Sequence, residues 1–324
     1  MIRTFVLEND RLVGVDVSDP RTGDAAWLDL FNPTKEEELL VESLLGLALP
    51  TREEMEEIEI SSRLYVEDGA YFMTATVPAY VEGGAPEISP VTFILAGKKL
   101  VTIRYHEPRA FKTFPQRAEK ASTGCTGGDT ILITLLEAIV DRLADILERA
   151  SRDVETISRD IFEARSKKAS SRSRDFQALL KAIGQKEDLA SNLRDSLLSL
   201  QRLAGFLAHA ATTIKTTKDV RARIKTVSRD ILSLADHTTF LSQKINFLLD
   251  ATLGMISIEQ NAIIKIFSVA AVVFLPPTLV ASIYGMNFEV MPELGWSFGY
   301  PWALGLMVLS AILPFLWFRS KGWL

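Results

Sequence analysis

Apolar residues recur at three- and four-residue spacing along a stretch that begins near Asp129, where Ile131, Leu135, Ile139, Leu143 and Ile146 share one face. No proline interrupts the stretch before Pro276. This period predicts amphipathic helix. Two breaks rich in small and polar residues, SKKASSRSRD (166–175) and TTIKTTKD (212–219), divide it into three long helices. The last begins near Asp219 and runs into an apolar segment. If continuous to about Tyr284, it is roughly 100 Å long at 1.5 Å per residue. A helix of that length does not bury its faces alone and needs companions from its own chain or from other subunits.

The pattern before Asp129 is different. Short runs rich in β-formers occur at RTFVL, RLVGVDV, AAWLDL and AYFMTATVPAY, and VTFILAGKKLVTIRY places two apolar runs around Gly97-Lys98, a hairpin signal. PTKEEELLVESLLGL reads as an amphipathic helix with Pro33 near its start. Thr51 followed by Glu54 forms a capping box, which makes the glutamate run from Glu53 to Glu59 a solvated helix face. Gly127-Gly128 reads as a turn, with Asp129 or Thr130 capping the next helix. Its glycines have neither the spacing nor the lysine of a phosphate-binding loop. Residues 1–128 are therefore expected to form an α+β domain and residues 129–263 a long helical bundle and stalk.

Beyond residue 263 two uncharged segments follow, nineteen residues from Ile266 to Tyr284 and twenty from Gly299 to Phe318. Each has the length that crosses a bilayer core, so 264–324 reads as a transmembrane hairpin. Lys265 precedes the first span, Arg319 and Lys321 follow the second, and the loop between them has no lysine or arginine. The positive-inside rule puts both ends in the cytoplasm and the loop outside. Tyr284, Trp296, Tyr300 and Trp302 cluster around that loop as an interfacial belt, and Trp317 and Trp323 flank the other side.

Composition agrees with a mixed chain: 324 residues are 48% hydrophobic and 24% charged. The N-terminal apolar runs, broken by Glu8, Asp10 and Arg11, do not read as a signal peptide, so the first 263 residues are expected in the cytoplasm. Net charge is −5; the hairpin has three basic and two acidic residues, which leaves −6 for the rest. That balance argues against nucleic acid and suits cations. One cysteine, Cys125, excludes an internal disulfide and reads as a buried structural residue. Three dispersed histidines leave no Cys/His metal spacing.

The first span is two-sided. Steps of three and four residues give the stripe Asn261, Ile264, Ser268, Ala271, Leu275, Thr278, Ser282 and Gly285, small or polar with two aliphatic interruptions. Ile266, Val269, Val273, Val280 and Ile283 form a branched aliphatic side. Polar groups facing lipid are costly, so the stripe faces protein or water. Periodicity alone leaves two readings open, a pore lining or close helix packing through small residues. Pro276-Pro277 deprives the carbonyls of Val272 and Val273 of their helical partners, which predicts a kink or a hydrated carbonyl.

YGMNFEVMPEL (Tyr284–Leu294), WSFGYP after it, and IEQNAIIKIFSVAAVVFLPPTLVASIYGMNF before and into it resemble the CorA family of divalent-cation transporters. The resemblance implies a funnel-shaped homopentamer in the inner membrane, with the first span lining a pore and intracellular Mg2+ gating it. It implies that Gly285, Met286 and Asn287 form the outer mouth, with Asn287 as a selectivity ring. Asn261 and Thr278 become polar rings, and Ile264 and Leu275 hydrophobic constrictions. Mg2+ sheds water reluctantly, so neutral Asn287 amides would hold it through its waters. Glu289 and Glu293 then suit an outer vestibule that attracts cations, or are solvated loop residues. Asp230 and Asp236 on the stalk, with Glu67 or Asp68 on the α+β domain, are candidate regulatory ligands. Mg2+ is thus expected as substrate and regulatory ligand, with Co2+ and Ni2+ as further substrates, lipid as surroundings, and no organic cofactor. A zinc transporter of the related branch and a non-conducting membrane sensor are the alternatives; an enzyme is not expected.

Overall fold

The computed structural model describes the chain apart from Asp10, Lys215 and residues 80–86, 121–123, 164–168, 288–290 and 323–324, and apart from the side chains of 163, 169–175, 293 and 294. The described residues fall into two compact units, one of Met1–Lys167 with Gln177–Leu249, the other of Lys168–Phe176 with Asp250–Leu324.

The first unit holds a seven-stranded sheet. Its strands are β1 (Ile2–Glu8), β2 (Arg11–Val15), β3 (Trp27–Phe31), β4 (Leu64–Glu67), β5 (Ala70–Ala79), β6 (Glu87–Ala96) and β7 (Lys99–Arg104), in the order β2-β1-β3-β7-β6-β5-β4. β3 and β7 pair in parallel and the other neighbours are antiparallel. The predicted hairpin is β6–β7, with Ala96 opposite Lys99 and Gly97 at φ +58°, the left-handed turn conformation that glycine adopts without a steric cost.

Alternation along the strands sends side chains to two cores. Leu28, Leu30, Phe72, Ile94, Val101 and Ile103 pack with Val41 of α1 (Lys35–Leu45) and Met55 of α2 (Arg52–Glu56). Thr34 and Thr51 cap these helices, each in a complete capping box with Glu37 and Glu54. Trp27, Met73, Phe93, Leu95 and Leu100 point the other way, into a larger core shared with the long helices.

Three elements had no reading in the hydrophobic pattern: β4, the short α3 (Ile60–Arg63), and α4 (Arg109–Lys120). In α4, Ala110, Phe111, Phe114 and Ala118 are buried, and Pro115 sits inside the helix. Tertiary packing of that face offsets the hydrogen bond lost at proline.

The long helices are α5 (Gly128–Glu163), α6 (Ala169–Thr213) and α7 (Lys218–Tyr284). Asp129 and Thr130 do not precede α5 as caps; both lie within it. Thr130 Oγ1 accepts hydrogen bonds from the N–H groups of Thr126 and Gly127 at 2.8 and 3.0 Å and so closes the preceding loop. Gly128 is more than turn punctuation. Its N–H donates to Lys98 O at 2.7 Å, and a Cβ there would lie 2.6 Å from the carbonyl carbon of Lys99.

Cross-links order the helices. Arg223 of α7 forks onto Glu137 of α5 at 2.9 and 2.6 Å, the Ser151 hydroxyl meets His237 at 3.1 Å, and Lys244 pairs with Glu155. The near-constant sequence separations of 86, 86 and 89 mean that α5 and α7 run side by side in the same direction.

Candidate functional site

The second unit contains the C-terminal part of α7 and a further helix, α8 (Gly299–Ser320). Both helices are long and apolar enough to cross a membrane. α7 remains helical across Pro276-Pro277.

On α7 the small and polar stripe is uncovered. Asn261, Ile264, Ser268, Ala271, Leu275, Thr278 and Ser282 are all exposed, Ile264 by 60% and Leu275 by 67%. On the aliphatic side Val269 and Val273 are half-buried and Val280 is buried, whereas Ile266 and Ile283 are exposed. Ile264 and Ser268 also border a groove that Val269, Val272 and Val273 line against Phe315 and Phe318 of α8. They therefore sit at the edge of the stripe.

Thr278 fixes its own hydroxyl. Oγ1 donates to the carbonyls of Phe274 and Leu275, at 2.7 and 2.8 Å. With the proton turned into the backbone, the oxygen lone pairs remain as outward acceptors, the polarity that suits a cation or its water.

α7 ends tightly. The Gly285 N–H donates to Ala281 O at 2.9 Å, and a Cβ on Gly285 would lie 3.1 Å from that same oxygen. Met286 and Asn287 follow, both exposed. Asn287 offers a neutral amide oxygen with no lysine or arginine in the described part of the loop. Glu289 lies outside the described residues. Glu293 belongs to the 3-10 turn Pro292–Gly295, whose backbone alone is described at that position. Trp296, Phe298, Tyr300 and Trp302 around the start of α8 are exposed apolar rings; Trp323 lies outside the described residues.

The four candidate regulatory acids lie in the first unit, and all are exposed. Asp230 is near Asp141 of α5. Burial, then Glu137, Asp145 and Asp230, raise the Asp141 carboxyl above its usual range, partly opposed by Arg117. Asp236 precedes His237, which meets α5 through Ser151. Glu67 and Asp68 form the turn into β5, with Asp68 at φ +47°. Tyr65 is pushed up to about 12, by burial first and then by Glu67 and Glu54. Among the described residues of one chain, no three His, Cys, Asp or Glu side chains are grouped so as to hold a metal ion.

Two features had no counterpart in the sequence reading. One is the row of exposed apolar residues on α7, with Leu232, Phe240 and Phe247 at 49%, 61% and 59% exposure. The eight- and seven-residue steps, each about two helical turns, were the available signal. The other is a buried ion pair, Asp29–Arg104, on paired strands far apart in sequence, with Asp29 opposite Thr102 and Arg104 two residues further along β7, which no local pattern announces.

A profile of the CorA-like Mg2+ transporter protein family matches residues 22–320. The chain belongs to the CorA family. The chain is 39% identical over 325 residues to the magnesium transport protein CorA of Pasteurella multocida and 40% identical over 326 residues to that of Escherichia coli K12, each alignment covering 100% of both chains. In fold it is similar to the CorA magnesium transporter of Methanocaldococcus jannaschii, with a TM-score of 0.78 and 20% identity over 100% of this chain and 99% of that one. The α+β sheet unit, the long helices and the apolar C-terminal helix are thus those of the CorA fold.

Proposed function

We propose that this CorA-family chain carries Mg2+ inward across the inner membrane as a homopentamer, through a pore lined by the C-terminal part of α7. The observation that carries the proposal is the uncovered stripe from Asn261 to Ser282, which leads to exposed Gly285, Met286 and Asn287. One hairpin does not enclose an aqueous path, so the stripe requires neighbouring copies. The exposed Leu232, Phe240 and Phe247 on α7 support self-association as well. Residues 1–128 and 129–263 form the cytoplasmic domain and stalk, 264–324 forms the hairpin, and both termini are cytoplasmic.

Asn287 forms the selective amide ring, Thr278 and Asn261 further polar rings, and Ile264 and Leu275 the apolar constrictions. Glu289 and Glu293 attract cations at the outer mouth. Membrane potential drives entry: about 2.3 kcal/mol per charge per 100 mV becomes roughly 4.6 kcal/mol per 100 mV for a divalent ion. Such a force requires closure. Cytoplasmic Mg2+ held between copies by Asp230, Asp236, Glu67 or Asp68 supplies it, since one chain alone has no complete ligand set among its described residues.

The test is flux through reconstituted full-length protein over a panel of Mg2+, Co2+, Ni2+ and Zn2+ under a set potential. Mg2+ flux that falls with Asn287→Ala is expected. Unchanged flux and selectivity in Asn287→Ala would remove the ring. Zn2+ flux exceeding Mg2+ flux would favour zinc transport, and the absence of all flux a non-conducting sensor.

A further inference from the structure

We propose that the groove between α7 and α8 is a binding site for one acyl chain of an anionic phospholipid of the cytoplasmic leaflet, with its phosphate on Lys265. The inference rests on the hairpin spanning the membrane as proposed above.

The groove has a volume of about 260 Å³. Its walls include Ile264, Val272, Phe315 and Phe318, and its polar lining residues are Lys265 and Ser268. The polarity is graded. Lys265 stands at one end of α7's apolar segment, and Phe318 of α8 is followed directly by Arg319 and then Lys321. From Lys265 to Val273 the groove runs eight residue steps along α7, roughly 12 Å at 1.5 Å per residue. Half of a bilayer's hydrocarbon core is roughly 15 Å. The part beyond Lys265 thus reaches most of the way through one leaflet, and the cationic end falls at headgroup level. Basic side chains near that surface attract anionic lipid. A hydrated divalent ion is excluded on two grounds, the apolar walls and the ammonium of Lys265. The groove meets the polar stripe at its edge, through Ile264 and Ser268, and its other lining residues lie off the stripe.

The experiment is native mass spectrometry of purified full-length protein equilibrated with equal phosphatidylglycerol and phosphatidylcholine. Wild type is expected to retain phosphatidylglycerol preferentially. Lys265→Gln should cut that preference about fivefold, the factor that corresponds to roughly 1 kcal/mol for one basic residue at the surface. Val272→Trp, which fills the groove, should lower retention of both lipids; Val269→Phe serves if that variant does not fold. Undiminished preference in Lys265→Gln, or undiminished retention in the filled groove, overturns the proposal. Efficient disulfide formation between Ser268→Cys of one copy and Phe315→Cys of another also overturns it, because a second copy then occupies the groove. Carbonate extraction separates the underlying reading: wild type that resists extraction yet shows no lipid preference sinks the lipid site alone, whereas release into the soluble fraction sinks the hairpin.

Discussion

Replacing Asp29 with asparagine should cost about 3–5 kcal/mol of stability, the range for leaving one partner of a buried ion pair unmatched. The Asp29 carboxylate accepts from Thr102 Oγ1 at 2.9 Å, Arg104 Nε at 3.0 Å and Arg104 Nη2 at 2.8 Å. Both carboxylate oxygens face donors, so an asparagine amide must turn its own N–H groups onto one of them. The two side chains are 0% and 1% exposed, so water does not take over. Arg104 also donates to His106 O at 2.9 Å and lies against the rings of Phe31 and Phe111, at 4.4 and 4.8 Å from their centroids. An exposed pair of the same geometry would contribute only about 0–1 kcal/mol, so burial decides the magnitude. At 2–4 °C per kcal/mol, the loss corresponds to a fall of roughly 6–20 °C in Tm. Thermal unfolding of the full-length protein, followed by tryptophan emission, would measure it; Trp27 Nε1 donates to Thr102 in the same network. Asp29→Leu with Arg104→Met removes both charges and should cost clearly less than the two single changes added together, by about 2 kcal/mol or more. Additive losses, or a loss under about 1 kcal/mol for Asp29→Asn, would refute the reasoning.

Gly128→Ala should lose about 1–3 kcal/mol by overpacking, since the added methyl would meet the backbone of Lys99 and Leu100 at 2.6 and 2.7 Å; a Tm matching wild type would refute the close approach. His106 donates from Nε2 to Val77 O, and burial pushes its pKa below the usual value. The unfolded chain then binds the proton more readily, so this stability is present above about pH 6.5 and is lost toward the lower folded pKa, by up to about 1.4 kcal/mol per pH unit. His106→Gln should flatten the fall of Tm between pH 7.5 and pH 5, and an unchanged slope would show that other groups carry it. Gly285→Ala would bring a methyl to 3.1 Å from Ala281 O at the end of α7. Ion uptake should drop at unchanged membrane abundance, and normal uptake would show that the proposed outer mouth tolerates the shift.

Local patterns carried much of the architecture. The break at 212–219 spans the end of α6 and the start of α7 because helix termination is written in nearby residues, whereas α6 already begins at Ala169 and takes in most of the break expected at 166–175. The β6–β7 hairpin, the capping box at Thr51 and the two uncharged spans are likewise local chemistry. The stripe on α7 was legible for the same reason: positions three and four apart share a face whatever surrounds the helix.

Relations between distant segments were decided only by the tertiary structure. β4 and α4 carry little signal alone; β4 exists through pairing with β5, and α4 through burial of Phe111 and Phe114. Gly128 looked like a turn residue, and the reason for glycine there is a neighbouring backbone about thirty positions earlier. Asp29 and Arg104 are ordinary charged residues until β3 and β7 pair and withdraw both from water. The sequence by itself determined which faces the long helices have and, at 212–219, where one stops and the next begins. Folding decided which faces find partners, covering Val280 and leaving the stripe from Asn261 to Ser282 open, because burial depends on what the rest of the chain brings alongside.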